Sequence, residues 1–199
     1  MNVHQQLNQA IAFLQQGRPQ EAQKGFELIL RRFPKHADAL HLLGVSFAQQ
    51  GIHANAVDII EKAIFLQPKN AGYHLNLGNS LQALGRLEQA LTSFNLSIDL
   101  NAKSAIAHFN KGNLLCRLDR LTESIDSYSV AIDLRPNTVD FLFNRANAHQ
   151  LLKRYLMALS DYRQAIDLDH THFESIFNAA NVLQKLYRFN EAVAYYDRA

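Results

Sequence analysis

Residues 108–115 read HFNKGNLL, a phrase that a helix former would avoid. Glycine is the poorest ordinary helix former and asparagine is among the poor ones, yet Asn110 and Asn113 flank Gly112 in an otherwise helical pattern. The phrase recurs as HLNLGNSL from His74, LFNRANAH from Leu142 and IFNAANVL from Ile176. Gly44, Gly78 and Gly112 stand 34 residues apart, and the same step lands on Ala146, Ala180 and, backwards, Ala10. No residue in that column is larger than alanine. Ala22, Ala56, Ala90, Ser124, Ala158 and Ala192 keep the same spacing, and so do Phe26, Ile60, Phe94, Tyr128, Tyr162 and Tyr196. Pro34, Pro68 and Pro136 close their units.

The frame is therefore 3–36, 37–70, 71–104, 105–138, 139–172 and an incomplete 173–199. Each unit reads as helix A, short turn, helix B, short loop. In the second unit helix A runs from about Ala37 to Gln49, where Gly51 can take the left-handed conformation that ends it. Helix B runs from about His53 to Leu66 and stops before Pro68, which cannot continue a helix. Small residues where A meets B let two backbones approach, while the aromatic or branched column fills the space beside them. One such unit cannot hide its apolar face; stacked units share a continuous core. The expected fold is all-α, a right-handed superhelical solenoid of antiparallel helix pairs over 1–199.

Composition narrows the function classes. Hydrophobic residues make up 48% of the 199-residue chain, enough for a sizeable core. No apolar run approaches the roughly 20 residues that span a bilayer, and the start, MNVHQQLNQAIAFLQQG, lacks a basic leader, so a cytoplasmic location is expected. The formal charge of +2 is interspersed, with no basic stripe for nucleic acid. The single cysteine, Cys116, reads as a small half-buried residue.

This pattern resembles the tetratricopeptide repeat (TPR) family, and the resemblance covers the whole chain. Leu43-Gly44, Phe47, Ala56, Ile60, Ala63 and Pro68 carry it in the second unit. The departures are specific. The chain has no tryptophan, and Leu40, His74, His108, Leu142 and Ile176 stand where the family often has a large aromatic. The turn glycines Gly17, Gly51 and Gly85 give way to Asp119, Lys153 and Tyr187, which leaves the later turns open in geometry. In the first unit Gln6 and Gln9 replace apolar residues, as a polar cap would.

At about 100° per residue, the fourth, seventh, eighth and eleventh positions of helix A share one face, the packing face. The sixth and ninth lie opposite. Asparagine fills the sixth as Asn8, Asn76, Asn110, Asn144 and Asn178, with Leu42 the exception, and the ninth as Asn79, Asn113, Asn147 and Asn181. Relative to alanine, nine asparagines cost on the order of 5 kcal/mol in helix propensity, comparable to a small domain's whole stability. In the family, helix A lines the concave wall, so the resemblance puts both columns in a groove. Two readings stand. A carboxamide carries donors and an acceptor, so the columns can hold the backbone of an extended peptide, as the asparagine ladder of O-GlcNAc-transferase-like members does. Alternatively the asparagines bond one another and merely satisfy the stack. Phe109, Phe143 and Phe177, one position before the ladder, are either apolar anchors for that peptide or packing between neighbouring A helices.

Other chemistry is sparse. His170 and His172 have no spaced third ligand, so no metal is expected, and no phosphate loop, nucleophile elbow or carboxylate pair suggests a cofactor or an enzyme. The fifth column, Leu7, His41, Leu75, Phe109, Phe143 and Phe177, lacks the lysines of the family's chaperone-tail clamp. The expected partner is a protein or peptide in extended conformation. Two alternatives remain: the repeats are the recruiting arm of an O-GlcNAc-transferase-like glycosyltransferase, or the sixth helix B, uncapped at Ala199, docks on a second copy.

Overall fold

The computed structural model describes residues 2–199. They form six helix pairs: α1 (Val3–Gln15) with α2 (Pro19–Arg32), α3 (Ala37–Gln49) with α4 (His53–Leu66), α5 (Ala71–Ala83) with α6 (Leu87–Leu100), α7 (Ala105–Arg117) with α8 (Leu121–Leu134), α9 (Val139–Leu151) with α10 (Tyr155–Leu168), and α11 (Phe173–Lys185) with α12 (Phe189–Tyr196). The described residues contain no strand. The pairs gather into two compact units, one ending at Ala102 and the other beginning at Lys103. Within each unit every A helix packs on its own B helix, and each B helix packs on the next A helix.

The A-to-B turns share one geometry whatever residue fills them. Gly17, Gly51 and Gly85 have φ of +70°, +77° and +75°, and Asp119, Lys153 and Tyr187 follow at +58°, +58° and +59°. In each, the N–H of the next residue reaches back five positions to a helix carbonyl, as Ile52 to Phe47 and Arg154 to His149 do at 2.9 Å. Two strong constraints therefore hold the three non-glycine residues in a left-handed conformation: that hydrogen bond and the packing of the helices on either side. Side chains also start most A helices. Asn2 and Gln5 form a reciprocal capping box, and His36, Asn70, Ser104 and His172 each accept a backbone N–H from the first turn.

The small column marks contact with helix B. A Cβ on Gly44 would stand 2.5 Å from Ile60 Cγ1, one on Gly78 2.5 Å from Phe94 Cε1, and one on Gly112 2.6 Å from Tyr128 Cε1. Phe26, Ile60, Phe94, Tyr128 and Tyr162 are fully buried across these contacts, each contributing roughly 1.5–3 kcal/mol of apolar burial. Helix A buries more than the single face expected from its sequence. Its third position (Ala39, Tyr73, Ala107, Phe141, Ser175) and tenth (Ser46, Ser80, Leu114, Ala148, Val182) are buried as well. Phe141 packs with Ala105 and Ala131, and Ala148 with Ile125 and Tyr128. An A helix inside a unit is pressed from two sides, by its own B helix and by the preceding pair, which a one-face helical pattern does not reveal.

Candidate functional site

In the first unit, α3 and α5 lie side by side and a polar network joins them. The Tyr73 hydroxyl donates to Asp38 Oδ1 at 2.5 Å, and the Tyr73 ring stacks on His41 with centroids 4.4 Å apart. Asn76 Nδ2 lies 2.8 Å from His41 Nε2. A carboxamide nitrogen can only donate, so Nε2 is the unprotonated nitrogen and His41 is neutral. Burial lowers the imidazole pKa to about 4, partly offset by Asp38. Beside this network a cavity of roughly 270 Å³ is lined by Val45, Ala48, Gln49, His53, Ile60, Asn76, Asn79 and Ser80. Small-molecule sites run from about 300 to 1,000 Å³, so this space suits a side chain or two rather than a cofactor. Asn8, on α1, is exposed.

In the second unit the ninth-position asparagines share one partner type, fifteen residues on. Tyr128 donates to Asn113 Oδ1 at 2.7 Å, Tyr162 to Asn147 Oδ1 at 2.6 Å and Tyr196 to Asn181 Oδ1 at 2.7 Å. The Tyr162 oxygen also lies 2.8 Å from Gln150 Oε1. Burial raises the ionisation of Tyr128 and Tyr162 well above the ordinary phenol range, so both hydroxyls stay protonated. The sequence places these tyrosines in the packing column and does not assign their hydroxyls to the asparagines, although a signal is present. Where the ninth position is Ile11 or Val45, the residue fifteen later is Phe26 or Ile60, without a hydroxyl; Asn79, with Phe94 fifteen later, is the exception.

The sixth-position asparagines are tied differently. Asn144 Nδ2 donates to the Asp140 carbonyl at 2.7 Å, and Asn178 Nδ2 to Asn147 Oδ1 at 3.3 Å. Asn110 is half-buried on α7. Of the three phenylalanines, Phe109 packs on Phe141 at 4.7 Å and Phe143 on His172 at 5.2 Å, between neighbouring pairs. Phe177 meets Tyr196 at 5.8 Å but keeps 42% of its surface exposed.

A buried ion pair sits beneath this face. Arg145 Nη2 and Nε donate to the two oxygens of Asp161 at 2.7 and 2.8 Å, and Nη1 donates to Ser129 Oγ at 3.1 Å. Asp161 is 4% exposed, and His149 Nε2 lies 4.0 Å from its Oδ2. Burial lowers the His149 pKa, against the pull of Asp161. Its Nδ1 is buried without a hydrogen-bond partner among the described residues.

The remaining sequence candidates have local roles. His172 caps α11 through Ser175 N–H at 3.2 Å, and His170 Nδ1 lies 2.8 Å from the Ile166 carbonyl. Cys116 is half-buried with Sγ 2.9 Å from Ser124 Oγ. Among the described residues no cluster of three or more His, Cys, Asp or Glu could hold a metal, and no helix is long and apolar enough to cross a membrane.

Helix pairs repeating every 34 residues, with polar A-helix faces, define an α-helical repeat scaffold of the kind that engages other proteins. More narrowly, the chain belongs to the tetratricopeptide repeat family, whose models match residues 7–71, 75–138 and 139–172. Solved structures agree in fold. PilF of Pseudomonas aeruginosa is 18% identical with a TM-score of 0.86, covering 97% of this chain and 88% of its own. TTC0263, a thermophilic TPR protein of Thermus thermophilus, is 21% identical with a TM-score of 0.73, covering 92% and 100%. YrrB, described as a TPR protein with an unusual peptide-binding site, is 21% identical with a TM-score of 0.71, covering 86% and 88%. No curated protein matches the sequence significantly.

Proposed function

We propose that this chain is a protein-interaction module that holds an extended peptide along the polar faces of its A helices, with the sixth-position asparagines bonding the peptide backbone. The cavity of the first unit carries the reading. Open space of roughly 270 Å³ beside Asn76 and Asn79 is what a ligand site needs and what a purely internal hydrogen-bond network does not. The fold relation to YrrB, with its peptide-binding site, adds support. So does the lack of Asp, Glu, Lys and Arg at the fifth, sixth, ninth and twelfth positions of the A helices, where a main chain rather than a charged side chain would be read.

Backbone bonds alone are too weak. At about 0.5–1.5 kcal/mol net each, four or five of them fall short of the roughly 8 kcal/mol of a micromolar complex. Apolar side chains of the peptide make up the difference: on the first unit one seats in the cavity, and on the second one rests against exposed Phe177. The test is to select peptides from a displayed random dodecapeptide library and compare Asn110→Ala/Asn144→Ala with the native chain. The double variant should weaken binding about 5- to 150-fold, two bonds' worth, while helicity and cooperative unfolding stay the same. Equal affinity in the two proteins would assign these asparagines to the stack.

A further inference from the structure

The two asparagine columns spend opposite halves of their carboxamides inside the protein. At the ninth position, Asn113, Asn147 and Asn181 each use Oδ1 to accept a tyrosine hydroxyl, at 2.7, 2.6 and 2.7 Å. Asn147 Oδ1 accepts a second bond, from Asn178. What these groups turn outward is the NH₂, a donor. At the sixth position the sense reverses. Asn144 and Asn178 spend Nδ2 on the Asp140 carbonyl and on Asn147, and in the first unit Asn76 spends Nδ2 on neutral His41. What has no internal partner there is the carbonyl oxygen, an acceptor, with one N–H of each amide beside it. All but Asn8 and Asn79 of the nine asparagines are half-buried.

Resting on the peptide-binding reading above, we infer that the buried tyrosines and the sixth-to-ninth amide bond fix the hydrogen-bond polarity of the site, making it selective for a main chain that offers both N–H and C=O along one edge. The ligand's N–H groups meet the sixth-position oxygens and its carbonyls meet the ninth-position amides. In an extended chain the N–H and C=O of a residue lie on the same edge, as in a strand pair, which matches paired rows of opposite sense. A ligand whose main chain has acceptors only, such as a polyproline segment, satisfies the ninth-position row and leaves the other row's oxygens unpaired. Tyr162 is thus a positioning residue: it touches no ligand and aims Asn147.

The experiment takes the tightest peptide from the random dodecapeptide library and methylates its backbone nitrogens one at a time. Three proteins are compared: native, Asn147→Asp, which keeps the acceptor for Tyr162 but loses the NH₂, and Tyr162→Phe, which removes the shorter of the two bonds that hold the Asn147 carboxamide. Methylation at a register of non-adjacent residues should weaken native binding at least tenfold. Asn147→Asp should weaken it at least tenfold and Tyr162→Phe about threefold, with unchanged helicity, and in Tyr162→Phe the methylation pattern should flatten. A peptide indifferent to methylation and to Asn147→Asp, yet weakened by Asn110→Ala/Asn144→Ala, overturns the polarity inference and leaves peptide binding standing. A library that yields no binder overturns both.

Discussion

Removing Arg145 should be among the most destabilising single changes in the second unit, and restoring apolar residues on both sides of its ion pair should reverse the loss. In Arg145→Leu, Asp161 stays 4% exposed with no cation opposite. His149, 4.0 Å away, is a poor replacement, because burial lowers its pKa and disfavours the charged imidazole. Leaving one buried charge unpaired costs about 3–5 kcal/mol. Asp161→Ile is milder, about 2 kcal/mol, because the Arg145 side chain is 20% exposed and its head can reach water along an aliphatic stem. The equivalent positions of the second repeat hold Leu43 and Ile59, so Arg145→Leu/Asp161→Ile copies a pair the fold already accepts. The double variant should return to within about 1 kcal/mol of the native chain, since well-packed apolar residues commonly replace a buried ion pair without loss. Ser129 is not orphaned, because its hydroxyl also donates to the Ile125 carbonyl at 2.8 Å. Urea unfolding followed by helical circular dichroism at pH 7 gives all four corners of the cycle. A double variant no more stable than Arg145→Leu would refute the reasoning and place the damage in packing rather than in charge.

Lys153→Gly, and equally Asp119→Gly, should stabilise the chain by about 1 kcal/mol, because glycine occupies φ near +58° without the Cβ strain; a lowered urea midpoint would contradict this. Gly78→Ala should destabilise by about 1 kcal/mol despite its better helix propensity, since the new Cβ would stand 2.5 Å from the Phe94 ring; thermal unfolding reads it. The depressed His41 pKa sets a pH dependence: above about 6.5 both folded and unfolded states are neutral there, and below it only the unfolded state takes the proton. Stability should therefore fall by about 2–3 kcal/mol between pH 6.5 and 4 from this group, and His41→Gln should remove that part of the slope in urea titrations at successive pH values.

Helix boundaries were legible wherever a breaker marks them: Gly51 and Pro68 bound α3 and α4 at the residues the sequence indicates. The left-handed turns at Asp119, Lys153 and Tyr187 were not, because their conformation is imposed by the helices they join and by a long-range carbonyl bond rather than by their own preference. The asparagine columns could be counted from sequence, but the way each carboxamide faces could not. That orientation depends on Tyr128, Tyr162 and Tyr196 across the helix pair, and on His41 one repeat away. The ion pair was hidden for a related reason. Arg145 and His149 stand at positions that periodicity assigns to packing, and only the fold brings Asp161 against them.

That same ion pair labels its repeat. Chains built from near-identical segments can fold with a helix docked on the wrong neighbour, since the small, aromatic and branched columns of one pair resemble those of the next. Helix α9 paired with a B helix other than α10 would bury the Arg145 guanidinium against a position held elsewhere by Gly25, Ile59, Ser93, Ser127 or Tyr195, none of which is charged. Helix α10 mispaired would set Asp161 against Gln9, Leu43, Leu77 or Ala179, with Lys111 of α7 the one cation elsewhere in that column. A charge that is nearly neutral for the stability of the correct partnership thus penalises most incorrect ones, giving α9 and α10 an address within an otherwise repetitive chain.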